Sequence, residues 1–531
     1  MAHNDEKAAS SKEDPVFGKS FESCEHVEQY HGTIPEFDDS IEETKPSKAV
    51  WLITITVAMG GFLFGYDTGV ISAVLVTIGD DLGHKLSSHE QELVTSLTSG
   101  GALIGALVAG LPADKYGRKL GIYIGCVLFL AGSVIQAASF TVVQMAVGRF
   151  VVGLGVGSAA MIIPLYIGEI APAKYRGRMI AFDNFSVAFG QLVSYALGAA
   201  LTDAAHGWRW MVAIGGVPPI ILACLLPQCP ESPRQLIAHG KIDEARIVIA
   251  RVYSSATEEQ LKSKMDRLIY TIEIESQVVA SKSLWWQFKQ LHCVPSNLRA
   301  LTVACAVMAI SQLGGFNTLM YYSATLFAFV GFNKPTAVAI VVGATNFVFS
   351  FVNLVLVDKL GRRILLLVTV LGMSISLVVA AVAFHYIPIS KDLVLESSSV
   401  NWAGILVLVT IIIYVACFAA GVATIAWVGT ELLPLEVRAL GTMMNTVTCW
   451  GCNIIIASTF LSMMKGMTPT GAFGFYAGIC FAGFIFVLFL FPEANGLPLE
   501  DIRQVFENGF DVKLASQMQK DLKAKQQANK V

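Results

Sequence analysis

Polar and apolar residues in this chain fall in long blocks, not at the short periods of a water-facing helix or strand. From Val50 to Phe491, apolar runs of about twenty residues or more recur, each long enough to cross roughly 30 Å of hydrocarbon as a helix. The pattern predicts twelve helices, at roughly 50–78, 92–113, 119–139, 141–168, 178–202, 208–228, 300–330, 335–357, 363–386, 402–430, 438–464 and 470–491. A polar stretch separates the sixth from the seventh and carries two helix-like segments, Ile242–Tyr253 and Glu258–Ser276. The residues before the first run are polar and acidic and lack the apolar centre of a cleavable leader, so the first run is expected to act as an uncleaved insertion signal. The expected division is a disordered tail (1–47), a six-helix bundle (48–229), a helical segment in water (230–299), a second six-helix bundle (300–491) and a carboxyl tail (492–531).

Composition agrees with that pattern. Hydrophobic residues make up 54% and charged residues 15% of the chain, against about 25% charged in a soluble domain. A soluble enzyme, a nucleic-acid binder and a fibrous protein are excluded, and the lipid bilayer is the expected surrounding. The net charge of −3 hides how the charges are distributed. If both ends face the cytoplasm, Lys85, Arg209, Lys334, Lys391 and Lys465 lie outside, Arg149 lies within a span, and the remaining 31 of the 37 basic residues face inward. Most of the ten cysteines sit in apolar runs, where a thiol behaves as a small apolar side chain, and no disulfide framework is suggested.

The two bundles repeat each other. Asp114, Gly117 and Arg118 recur as Asp358, Gly361 and Arg362, an offset of 244. Glu169 and Arg176 recur as Glu431 and Arg438, and Glu231 recurs as Glu493, each 262 residues on. Parallel six-helix repeats describe transporters that hold substrate near mid-membrane between two rocking halves.

Two charges stand out inside the runs. Asp67 lies about 17 residues into the first helix and Arg149 about eight into the fourth, which runs the other way, so at 1.5 Å per residue both reach a similar depth. Lone ionised groups there cost several kcal/mol, and such charges face the bundle interior and pair. The pair is either a switch that a proton on Asp67 opens, or a permanent structural salt bridge. A further carboxylate, Asp183, is an extra proton site, a substrate contact, or a near-interface acid paired with a loop arginine such as Arg178; the last is the expectation here. No phosphate-cradling GxxxxGK[ST] run is present, which argues against an ATP-driven pump. No cofactor or metal set is expected.

Nine motifs carry a resemblance: GFLFGYDTGVIS (61–72), ADKYGRK (113–119), GRFVVGLGVG (148–157), PLYIGEIAPAKYRGR (164–178), PESPR (230–234), SQLGGFNTLMYYS (311–323), DKLGRR (358–363), ELLPLEVR (431–438) and PEANG (492–496). Through them the chain resembles the sugar porter family of the major facilitator superfamily across about residues 50–510. The resemblance implies an all-α fold of twelve transmembrane helices in two six-helix repeats, with a cytoplasmic helical segment between them. It also implies coupling through Asp67 and Arg149, since proton-coupled members carry matching residues while facilitative ones lack the carboxylate.

Positions resembling the family's sugar contacts are Gln191, Gln312, Asn317, Tyr322, Asn346, Trp427, Trp450 and Asn453. Their amides suit hydroxyls that both donate and accept. Gly314 and Gly315 are expected to break the seventh helix beside Gln312 and Asn317. The charged motifs imply a cytoplasmic gate of Asp114, Arg118, Glu169, Arg176, Arg178, Glu231 and Arg234, with Asp358, Arg362, Glu431, Arg438 and Glu493 in the second half. Ser311 and Cys449 depart from the glutamine and asparagine of many hexose carriers. Several stretches, among them GGFNTLMYYSATLF and FDNFSVAFGQLVSYALGA, resemble fungal myo-inositol transporters in particular. The expected protein is therefore a monomeric proton-coupled importer of a neutral polyol, most simply myo-inositol, in the plasma membrane. A hexose or pentose transporter, facilitative or proton-coupled, and a non-transporting nutrient receptor are the alternatives.

Overall fold

A computed structural model of the protein describes residues 38, 40–44, 46–280, 283–390, 400–428, 432–433, 435–493, 504–507 and 509–528. Nearly all of them are helical. Ten helical stretches each have the length and apolarity for one crossing: Lys48–Thr77, Ser88–Tyr116, Arg118–Ala137, Val142–Ile170, Ala173–Leu201, Gly207–Gln228, Pro295–Val330, Pro335–Leu356, Arg362–His385 and Trp402–Trp427. The last stretch, Leu435–Leu490, is too long for a single span. Thr468, at φ 66°, and Pro469 turn it back on itself, which makes the eleventh and twelfth crossings. The protein is thus an all-α membrane protein of the expected architecture, and the spans are called first to twelfth below.

Local chemistry sets several ends and breaks. Ser87 and Glu90 form a reciprocal capping box that starts the second span. The seventh span is two helices, Pro295–Leu313 and Phe316–Val330, joined through Gly315 at φ 93°. A side chain at Gly315 would be strained in that left-handed conformation, so the expected break is realised at this residue. Four further helices, Pro233–Ala238, Ile242–Val252, Glu258–Ala280 and Leu284–Cys293, follow the sixth span. They lie on the membrane face towards which most of the basic residues point, here called the basic face. Glu42 ties the segment before the first span to this group. It accepts from Tyr253 Oη at 2.9 Å, from Lys264 Nζ at 2.5 Å and from the Ala173 amide, which opens the fifth span, at 2.7 Å. Burial alone would raise the Glu42 carboxyl, but Lys264 and the two other donors outweigh it and hold it below the ordinary 4.5.

Within the first half, the first span packs on the fifth and the second on the fourth. Lipid gives no hydrophobic drive for helices to associate, so close backbone approach matters. At Gly65 a Cβ would come within 1.9 Å of the Val187 carbonyl oxygen, and at Gly157 within 2.0 Å of that of Ala102. Between halves, the first span meets the seventh, the second meets the eleventh and the fifth meets the eighth.

Gly65→Ala should therefore separate the first and fifth spans. Overpacking of this kind costs about 1–3 kcal/mol. A lowered melting temperature of the purified protein in detergent is the expected result, and an unchanged one would contradict the contact.

Candidate functional site

The first and fourth spans bring Asp67 and Arg149 together. Arg149 Nη1 donates to Asp67 Oδ1 at 2.6 Å, and its Nε donates to the Val94 carbonyl at 3.3 Å. The two side chains are 7% and 1% exposed. Arg149 Nη2 has no hydrogen-bond partner among the described residues. A buried guanidinium with one carboxylate, one carbonyl and an unused donor depends heavily on that carboxylate, because removing one member of a buried pair leaves an uncompensated charge.

The expected contact residues fall into two groups. Gln312 Oε1 accepts from Asn317 Nδ2 at 2.6 Å and from Asn453 Nδ2 at 3.4 Å, joining both sides of the seventh-span break to the eleventh span. Asn453 Oδ1 in turn accepts from Ser99 Oγ at 3.0 Å and Tyr321 Oη at 3.2 Å. Separately, Asn346 Nδ2 donates to Gln191 Oε1 at 2.6 Å, linking the eighth and fifth spans. Both clusters cross between halves, so whatever changes these amides changes how the halves meet. Trp450 is buried, packs edge-on to Phe64 at 5.6 Å and leaves its Nε1 donor without a partner among the described residues. Trp427 is partly exposed on the tenth span. Ser311 and Cys449 are buried.

Tyr322 directs its hydroxyl to the Ala457 carbonyl at 2.9 Å, while its neighbour Tyr321 makes the amide contact. One expectation needs correction. Asp183 is buried, and among the described residues it forms no ion pair with Arg178; its Oδ1 has no partner. It packs against Gly61, where a Cβ would come within 2.5 Å of that oxygen, so the helix turns it inward, away from the exposed arginine. Ser99 and Tyr321 were missed because hydroxyls inside a span usually bond their own helix backbone and give no distinctive signal.

The charged motifs converge on the basic face. Arg118 grips Glu169 with two bonds, Nη2 to Oε1 at 2.9 Å and Nε to Oε2 at 3.2 Å, and also pairs with Asp114. Such a fork is geometrically specific as well as strong. Glu231 does something unforeseen. It accepts from the backbone amides of Arg118 at 3.0 Å and Lys119 at 3.3 Å, capping the start of the third span. Glu493 repeats this on the Arg363 amide at 2.9 Å, at the start of the ninth span. Each cap needs a glycine before it. Gly117 and Gly361 have φ of 102° and 84°, and a Cβ there would come within 2.6 and 2.7 Å of the two carboxylates. Arg438 donates twice to the Leu433 carbonyl. Arg176 and Arg178 are exposed and, among the described residues, form no ion pair. Arg234 lies in the first turn of Pro233–Ala238 and Arg362 in that of Arg362–His385. Glu431 and the side chain of Asp358 lie outside the described residues.

Away from the basic face, the halves are bonded directly. Ser72 Oγ and Ser323 Oγ lie 2.9 Å apart, and Ser72 also accepts from the Ala324 amide at 2.9 Å. Tyr195 Oη donates to the Met320 carbonyl at 2.6 Å, Thr202 Oγ1 to Thr336 Oγ1 at 3.0 Å, and Ser462 to Glu92. The structure is closed on that face.

Comparison with known proteins identifies what the chain resembles. The sequence pattern of the family described as "Sugar (and other) transporter" matches residues 53–506. Myo-inositol transporter 1 of Cryptococcus neoformans var. grubii is 44% identical over 480 residues, 90% of this chain and 85% of that protein. Myo-inositol transporter 1 of Candida albicans is 43% identical, over 93% of this chain and 90% of its own length. Myo-inositol transporter 1 of Saccharomyces cerevisiae is 40% identical over 504 residues, 93% of this chain and 86% of its own length. Among solved structures, the partially occluded inward-open conformation of the xylose transporter XylE from E. coli superposes with a TM-score of 0.71 at 25% identity, covering 85% of this chain and all of that one. With the family pattern spanning most of its length and relatives matching nine-tenths of it, the chain belongs to the sugar transporter family.

Proposed function

We propose that this sugar-porter-type transporter imports myo-inositol together with a proton, by alternating access, as a monomer in the plasma membrane with both termini and the basic face in the cytoplasm. The observation that carries coupling is the buried Asp67–Arg149 pair. Protonating Asp67 removes the counter-charge that a buried guanidinium has among the described residues, so the pair must loosen, and two arrangements of the first and fourth spans follow. With the pair closed the empty carrier is favoured in one orientation; with the proton on Asp67, Arg149 is released and the other becomes accessible. The Arg118–Glu169–Asp114 network and the two carboxylate caps fix the cytoplasmic ends of the helices that such a rearrangement must move. A two-state device needs elements with discrete packings, and ion-paired ends supply them.

Substrate recognition is assigned to Gln312, Asn317, Asn453, Gln191 and Asn346, with Trp450 offering an indole face and a free donor. A ring bearing six hydroxyls and no ring oxygen needs acceptors and donors on both sides, and amides from both halves provide them. The likeness to three fungal myo-inositol transporters supports this choice of polyol. One proton moving inward across 100 mV contributes about 2.3 kcal/mol, enough for roughly fifty-fold accumulation before any pH gradient is added.

Asp67→Asn should abolish accumulation while leaving exchange of labelled inositol down its gradient; intact uphill uptake by that variant would sink the coupling role. Gln312→Ala removes the acceptor shared by Asn317 and Asn453 and leaves a desolvated hydroxyl unmatched, a loss of about 1–3 kcal/mol, or roughly five- to 150-fold in affinity. Binding of labelled inositol to purified protein checks this, and unchanged affinity would move the site elsewhere.

A further inference from the structure

Glu92 has no part in the site described above, yet it is a carboxylate only 3% exposed in the first half of the molecule. It reaches across to the second half. Ser462 donates its backbone amide to Glu92 Oε1 at 2.7 Å and its hydroxyl to Oε2 at 2.6 Å. In a regular helix that amide belongs to the carbonyl four residues earlier, so the carboxylate enters the hydrogen-bond ladder of the eleventh span itself. The exposed ring of His89, one turn nearer the membrane surface, comes within 3.6 Å of Oε2. The other bonds between halves on this face, at Ser72, Tyr195 and Thr202, join neutral hydroxyls, amides and carbonyls. Glu92 instead brings an acidic side chain whose two oxygens each take one donor from the same residue of the opposite half.

We propose that Glu92 is the latch of the outer gate: its carboxylate holds the second and eleventh spans together when the carrier faces the cytoplasm, and it must release Ser462 before substrate can enter from outside. The inference rests on the orientation and alternating access proposed above. Closing the latch takes a carboxylate out of water, a cost that the two bonds from Ser462 offset. Opening returns Glu92 to water next to His89. The latch therefore sets the balance between the two orientations without touching substrate.

The test uses full-length carrier with Cys224 and Cys293 replaced by serine and Ala324→Cys as reporter. Ala324 is fully buried where the first and seventh spans meet on this face. The readout is the rate at which a membrane-impermeant maleimide, applied outside intact cells, labels the reporter. Ser462→Ala leaves a buried carboxylate with one donor fewer, so labelling should rise on the order of tenfold. Glu92→Ala removes both bonds and should raise labelling too. Adding Ser462→Ala to Glu92→Ala should then change nothing further, an outcome that a merely structural serine would not give. Unchanged labelling in both single variants at normal surface expression would overturn the proposal, as would a Ser462→Ala effect that persists in full without Glu92. Labelling needs neither inositol nor a proton gradient, so a failure of the substrate or coupling assignment leaves this result readable. Reporter labelling that requires reagent on the cytoplasmic side would show that the orientation is wrong, and with it the latch as an outer gate.

Discussion

The Arg149 guanidinium, almost wholly removed from water in the fourth span, is the constraint around which the first half is arranged. A cation at that depth is tolerated only with a counter-charge and hydrogen bonds, and Asp67 and the Val94 carbonyl provide them from the first and second spans. Three helices are thereby held in register by one side chain. Backbone approaches at glycines let the first span lie against the fifth and the second against the fourth closely enough for those groups to reach it. Under the proposed coupling, a proton on Asp67 would leave that guanidinium uncompensated and so would bear on all three helices.

A second feature is that carboxylates do three different jobs in this molecule according to what surrounds them. Asp67 neutralises a buried cation. Glu231 and Glu493 cap helix starts in repeat-related places, each admitted by a glycine with positive φ. Glu92 bonds a helix in the opposite half through an amide and a hydroxyl. The residue type is nearly constant, and the partners decide whether the group pairs with a cation, caps a helix or bonds across to the other half.

Much of this was legible in the sequence because the bilayer simplifies the code. Twelve apolar runs, the placement of basic residues and the offsets between repeats specify the fold class. A charge inside an apolar run announces its own partner, so Asp67 and Arg149 could be paired by depth alone. The glycine pair before Asn317 likewise marked the break in the seventh span. What was not legible depended on side-chain direction. Nothing in the motif around Tyr321 and Tyr322 says which hydroxyl faces the amides, and one residue along a helix is a turn of about 100°. Asp183 was expected to meet an arginine five residues away in sequence, but the helix points the two in different directions. Glu92 lay at the predicted edge of a span, where a carboxylate reads as a surface group, and only the approach of the eleventh span reveals its burial.

The central claim is that inositol and a proton move together through this carrier. The most direct measurement is made on the purified protein in sealed liposomes with no imposed pH or voltage gradient, following external pH as myo-inositol is added outside. Symport predicts that external alkalinisation accompanies inositol uptake and disappears in Asp67→Asn liposomes that still exchange inositol. Uptake of inositol with no proton movement would contradict the account and reduce the Asp67–Arg149 pair to a structural salt bridge.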